Sequence, residues 1–156
     1  MSGRVIAVVL VPAAALVAVV AVALRLHFQP PTVPVYTLAA DAGAEVTLRP
    51  GMTYELVARP SAPSAGVVAA KGFLFRGQER RLWEPPFTVD VDGTLHIAGT
   101  VDALFKGVPP GTWDVAVVVG RPETLPSMPH DVEHATGTGG PAPWHVLRQR
   151  VNLASE

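Results

Sequence analysis

Thr112-Trp113-Asp114-Val115-Ala116-Val117-Val118-Val119-Gly120 is the stretch that decides the fold. In an extended chain, successive side chains point to opposite faces. Trp113, Val115, Val117 and Val119 then share one face, and Asp114, Ala116 and Val118 share the other. After Asp114 both faces are apolar. A strand of that kind is predicted to lie inside a sheet, covered on both sides.

The chain beyond residue 34 shows no long apolar 3.6-residue period. It shows short alternating runs bounded by Pro and Gly, which is the all-β pattern. The runs are Val35–Ala39, Glu45–Arg49, Thr53–Arg59, Val67–Arg76, Phe87–Asp90, Thr94–Gly99, Thr112–Gly120 and Val146–Leu153. In the last, Leu147, Val151 and Leu153 oppose Arg148, Arg150 and Asn152, which predicts a half-buried strand with one wet side. Seven or eight strands at this spacing predict a two-layer antiparallel β-sandwich over 35–156, with a small barrel as the alternative.

Two turns can be argued in detail. Val91-Asp92-Gly93 joins Phe87–Asp90 to Thr94–Gly99. A three-residue loop with Gly93 in the left-handed region pairs Val89 with Leu95 and Phe87 with Ile97, which keeps apolar residues together. Arg49-Pro50-Gly51-Met52 has Pro then Gly at the centre of a type II turn. A tight hairpin there sets Val46 against Glu55, out of phase, so a bulge or an arch between two sheets is expected. Arg121 to Pro143 breaks the β pattern. At that length it reads as a surface-exposed, mobile segment with a short helix, Pro129–Ala135.

Leu104-Phe105-Lys106-Gly107-Val108-Pro109-Pro110-Gly111-Thr112-Trp113-Asp114-Val115 resembles the approach to a late strand in bacterial immunoglobulin-like and prealbumin-like sandwiches. The resemblance implies a fold, not an activity. Leu48-Arg49-Pro50-Gly51, Glu55-Leu56-Val57-Ala58-Arg59-Pro60, Ile97-Ala98-Gly99 and Val119-Gly120-Arg121-Pro122 look like the extracytoplasmic part of membrane-bound anti-sigma-factor-like proteins. Those carry a cytoplasmic zinc-finger domain before the membrane helix. Here only Met1–Arg4 precede the apolar run, so the resemblance is to the outer domain.

Val5 to Leu24 holds twenty residues without a polar side chain. As a helix it would span a hydrocarbon core of roughly 30 Å, and Pro12 is tolerated there as a kink. The expected organisation is a tail at 1–4, a transmembrane helix at 5–24, a Pro-rich linker at 25–34, and the sandwich. The rival reading is a signal peptide cleaved after Ala21-Val22-Ala23; the run exceeds a usual h-region of about 7–15 residues, which favours the anchor. Arg4 and the terminal amine outweigh Arg25, which places the N-terminus in the cytoplasm and the domain outside the inner membrane. Ten arginines against two lysines, with abundant Ala, Val, Pro and Gly, mark a GC-rich bacterial genome.

Composition closes several routes. A net charge of −1 supplies no basic footprint for nucleic acid. The chain has no cysteine, which excludes disulfides, thiolate ligands and thiol catalysis. Nucleophile-elbow, P-loop and dinucleotide motifs are missing. No cofactor is expected.

His130-Asp131-Val132-Glu133-His134 is the one metal-like pattern. His130 and His134, four apart on a helix, share a face, with His145 the one further histidine in reach. Asp131 stands where the zincin motif has Glu, so a solvated helical turn is the simpler reading. Asp90 and Asp92 before Gly93 lack the later Glu of a calcium loop. Trp83, Trp113 and Trp144 would suit sugar stacking if exposed, but Trp113 is assigned to the core by its phase. Arg76, Arg80 and Arg81 read as a solvated charged hairpin tip. The expectation is a non-catalytic, membrane-anchored domain for contact with an envelope or signalling protein. Trp83, His130, Asp131, Glu133, His134 and Trp144 are its candidate contact residues. A metal-dependent hydrolase using His130 and His134, and a carbohydrate-binding module, are the alternatives from other classes.

Overall fold

A computed structural model describes residues 32–39, 44–133, 135 and 142–155. The predicted membrane segment at 5–24 lies outside these residues. Among the described residues, no helix is long and apolar enough to cross a membrane.

The strands follow in chain order: β1 (Tyr36–Leu38), β2 (Val46–Leu48), β3 (Thr53–Pro60), β4 (Ala69–Arg76), β5 (Glu79–Trp83), β6 (Thr88–Val89), β7 (Leu95–Thr100), β8 (Gly111–Gly120) and β9 (Trp144–Leu153). Helix α1 (Val101–Leu104) follows β7, and a 3₁₀ turn (Pro122–Thr124) and helix α2 (His130–Glu133) lie between β8 and β9. They form a four-stranded sheet, β1-β3-β7-β6, and a five-stranded sheet, β2-β9-β8-β4-β5.

Strand β8 is interior, between β9 and β4, and Val115 to Val119 are all fully buried. Its two faces go to two different cores. Trp113, Val115, Val117 and Val119 meet Leu56, Leu95, Ile97 and their neighbours from the other sheet. Ala116 and Val118 join Phe73, Phe75, Val132 and Val146 in a second cluster. The inner face is therefore closed by the opposing sheet, and the outer face by the chain around α2.

Both turns form as expected, but the hairpin ladder ends at Thr88–His96, short of the expected Phe87–Ile97 pair. Val89 pairs with Leu95, and Gly93 has φ +92°. At 49–52, Met52 N–H donates to the Arg49 carbonyl (3.1 Å) and Gly51 has φ +77°. The chain there leaves β2 in the five-stranded sheet and starts β3 in the four-stranded one, so the turn is an arch between sheets.

The structure corrects four expectations. The second sheet is mixed, not antiparallel, because β2 pairs with β9 in parallel, Val46 with Val151 and Leu48 with Leu153. The arch permits this: β3 leaves for the opposite sheet, so β2 does not pair with it and adds instead to the free side of β9. Strand β5 falls outside the expected runs, because three of its five residues are charged. It is an edge strand, where charge discourages pairing with another chain. Strand β9 begins at Trp144, and Val146 on its outer side is buried, so that side is wet only beyond Arg148. Finally, the described part of 121–143 is surface-exposed as expected at Glu123, Ser127, Met128, His130 and Asp131, but it is docked on the sheet through Leu125 and Val132 rather than free of it.

Candidate functional site

The 121–135 segment is held to the five-stranded sheet by both polar and apolar contacts. Thr124 Oγ1 lies 3.0 Å from the carbonyl oxygens of both Arg121 and Pro143, which share its one proton. Lys71 Nζ reaches the Pro126 carbonyl (3.3 Å). Val132 of α2 is fully buried against the second cluster, with Leu125 and Ala135 beside it. The Arg148 guanidinium donates to the carbonyls of Val132 and Glu133, satisfying acceptors that a short helix leaves open. Arg80 grips Glu133 with two hydrogen bonds of 2.8 Å. Bidentate Arg–carboxylate geometry is the strong form of this contact.

This arrangement separates the candidate residues of 130–134. Glu133 is engaged in the ion pair with Arg80 and faces the sheet. His130 stands in solvent, its Nε2 3.0 Å from Asp131 Oδ1. His134 lies outside the described residues. His145, the further histidine weighed with this pair, is buried on the inner face of β9, 3.4 Å from the Val33 carbonyl oxygen. It therefore points to the opposite side of the sheet from α2. Among the described residues, no three His, Asp or Glu side chains converge as metal ligands.

The tryptophans do not share a surface. Trp113 is fully buried, and its indole N–H donates to the Pro109 carbonyl (2.9 Å). Trp83, read as a candidate contact residue, is also buried. Its ring stacks on Phe105 with centroids 5.3 Å apart, and its N–H donates to the Leu104 carbonyl (2.7 Å). Trp144 is half-buried beside the second cluster. No flat aromatic platform for a sugar results from these three.

The arginines of the 76–81 hairpin do more than solvate its tip. Arg76 and Arg81 both pair with Glu79, each at 2.7 Å. Hydrogen bonds from Arg76, then Arg81, hold the Glu79 carboxyl below its ordinary range. The same guanidiniums donate to the carbonyls of Pro110 and Gly107. Residues 104–110, which lead into β8, are thus held by two indoles and two arginines.

Two polar constellations went unseen in the sequence, because each joins different strands. His96 sits on the outer face of the four-stranded sheet, with Nδ1 3.5 Å from Glu55 and Nε2 3.1 Å from Asp90. Asp92, nearby, accepts the Thr94 N–H (2.9 Å), which holds its carboxyl low; the turn accounts for it. Between the sheets, the Tyr54 hydroxyl donates to Gln149 Oε1 (2.7 Å), satisfying both buried groups.

Burial pushes the phenols of Tyr54 and Tyr36 above the ordinary value of 10.0. The unfolded chain gives up these protons at about pH 10 while the folded chain keeps them. Above that pH the unfolded state binds fewer protons, so stability falls as pH rises; below it the contribution is present in full. Denaturant midpoints should therefore hold steady up to about pH 9 as far as tyrosine is concerned and decline from about pH 10. Tyr54→Phe should flatten that decline while lowering the plateau, since it leaves Gln149 unpaired. An equally steep decline in the variant would assign the effect elsewhere.

A cavity of about 160 Å³ opens at the edge of the sandwich, where β5 and β6 are the bordering strands. Ala70, Gly72, Trp83, Pro85, Phe87 and Ile97 line it, together with Lys71 and Glu84. Trp83 closes its inner end by lying over Gly72, and Phe87 stands exposed at its mouth.

No protein-family model matches the chain, and a search of curated proteins finds no match.

Proposed function

We propose that this chain is a membrane-tethered, non-catalytic domain on the outer side of a bacterial inner membrane, where it binds another envelope or signalling protein. The observation that carries this is how the domain receives its N-terminal arm. At the end of the Pro-rich linker, Arg121 donates to the Thr32 carbonyl (3.2 Å), and Val33 pairs with Ala142 and is fully buried. The same Arg121 donates to the carbonyls of Ala65 and Val67. One guanidinium thus ties the incoming chain to a loop of the sandwich. A domain clamped at the residue where an apolar run and a stiff linker hand over to it suits tethering.

We further read the sandwich as immunoglobulin-like. The strand order supports this. Sheet β1-β3-β7-β6 follows the A-B-E-D order, and β9-β8-β4 follows G-F-C, with β5 added at the C side. The reading of the fold assigns no activity.

The test is fractionation of cells expressing the intact chain. The protein should pellet with membranes and resist extraction by high salt and alkaline carbonate. Protease added to spheroplasts should digest the domain. A soluble mature form beginning at Leu24 would replace the tether with a secreted domain. Digestion only after lysis would reverse the orientation.

A further inference from the structure

The edge cavity adjoins a stretch of β4 whose ladder is incomplete. Strand β4 pairs with β8 from Ala69 to Phe75, but with β5 only from Gly72 to Arg76. Beyond the Gly72–Trp83 pair the chain continues as Glu84-Pro85-Pro86 and leaves the sheet. Proline has no N–H to donate, so these residues cannot extend the strand. Pro85 borders the same cavity as Ala70, but among the described residues no backbone hydrogen bond reaches Ala70 from that side.

The register says what Ala70 offers there. Gly77-Gln78 is a two-residue hairpin loop with Gly first at φ +57°, closed by Arg76 and Glu79. The closing pair exchanges both hydrogen bonds, and bonding then alternates along β4. Arg76, Leu74, Gly72 and Ala70 therefore direct their backbone groups towards the β5 side. The first three meet β5, and Ala70 meets none. Its side chain points inward with Leu74, as its packing against the inter-sheet core requires. A residue placed opposite Ala70 would share that inward face and enter the cavity.

We propose that this notch is a docking site for an extended segment of a partner protein. The segment adds antiparallel to β4 past the end of β5. Its central residue exchanges two backbone hydrogen bonds with Ala70 and inserts one apolar side chain, leucine or phenylalanine, among Trp83, Pro85, Phe87 and Ile97. The cavity is close to the volume of about 150 Å³ that holds a benzene ring in an apolar protein interior. A small apolar molecule would fill the space but leave the Ala70 N–H and carbonyl to water. A strand satisfies both, and this division of labour, backbone for affinity and pocket for selectivity, is that of strand addition. The proposal rests on the binding-domain reading above and names its partner class.

The experiment uses the full chain in detergent micelles and a capped pentapeptide, Thr-Thr-Leu-Thr-Thr. Two analogues carry N-methyl-leucine or aspartate at the centre. Backbone amide shifts are followed on titration. Saturable shifts are expected at Ala70, with slowed exchange of its amide, and at the Trp83 indole. N-methylation, which removes one hydrogen bond, should weaken binding about tenfold, and aspartate should abolish it. Ala70→Leu, which fills the cavity from within, should also abolish it. If that variant fails to fold, the N-methyl comparison on the native chain still decides. Absence of saturable shifts at millimolar peptide, or equal binding of the N-methyl analogue, would overturn the proposal. The assay does not depend on where the protein resides. A chain that binds the peptide but is freely soluble would remove the tether and keep the site, and a membrane-integral chain that ignores the peptide would do the reverse.

Discussion

Trp113→Ala should destabilise the domain by about 3–5 kcal/mol, the range for truncating a buried aromatic residue. Trp113 is fully buried where β8 enters the inter-sheet core. Three further losses add to the void. The Pro109 carbonyl loses its indole donor. Arg76, whose guanidinium lies 4.2 Å from the ring centroid, loses its cation–π surface, and so does Arg81 at 5.6 Å. Both arginines also hold the 107–110 loop, so its order should fall with the ring. Urea unfolding of wild type and variant with matched slopes would measure the difference. Trp113→Phe keeps a ring but not the N–H and should cost less. A loss below about 1 kcal/mol for the alanine variant is what a surface position would give, and would place Trp113 there.

Phe73→Ala should cost a comparable 3–5 kcal/mol or so, though Phe73 faces away from the inter-sheet core. Its ring is fully buried in the second cluster, against residues that include Ala116, Val118 and Val132. The expectation depends on the 121–135 segment staying docked. If that segment left the sheet, Phe73 would be exposed in the folded state and its truncation nearly neutral. Stability measurements therefore report on docking. A large loss means α2 is part of the core, whereas a loss under about 1 kcal/mol would mean the outer face is open to water. Substituting His130, which stands in solvent, should leave the same unfolding curve almost unchanged.

Much of this fold is legible in local patterns. The register of the 87–97 hairpin follows from keeping Val89 beside Leu95, because a one-residue slip would turn every apolar side chain outward. The arch at 49–52 follows from the same rule failing: no tight hairpin puts Val46 and Glu55 on acceptable faces. Strand β5 was hidden because Glu79, Arg80 and Arg81 carry no apolar alternation. Its edge position lets those side chains reach solvent, Glu133 and loop carbonyls instead. Of the candidate contact residues, Trp83 could not be placed from sequence. A tryptophan beside Pro-rich turns suits an exposed rim as well as a buried plug, and stacking on Phe105, distant in sequence, chose the plug. The notch at Ala70 could not be read either, since it depends on where one strand stops relative to another.

Local sequence is enough to make Thr112–Gly120 an interior strand, to make the chain beyond the linker β-rich, and to give its Asp-Gly and Pro-Gly turns the forms observed. These are properties of neighbouring residues: alternation, the missing proline N–H and the positive φ of glycine act over a few bonds. The tertiary structure alone decided what covers each face of β8, that β2 joins β9 in parallel, and that Glu133 is held by Arg80 while His130 is left in solvent. Each of those outcomes rests on contacts between segments tens of residues apart, and such contacts form only where the whole set of buried faces and polar groups is satisfied together.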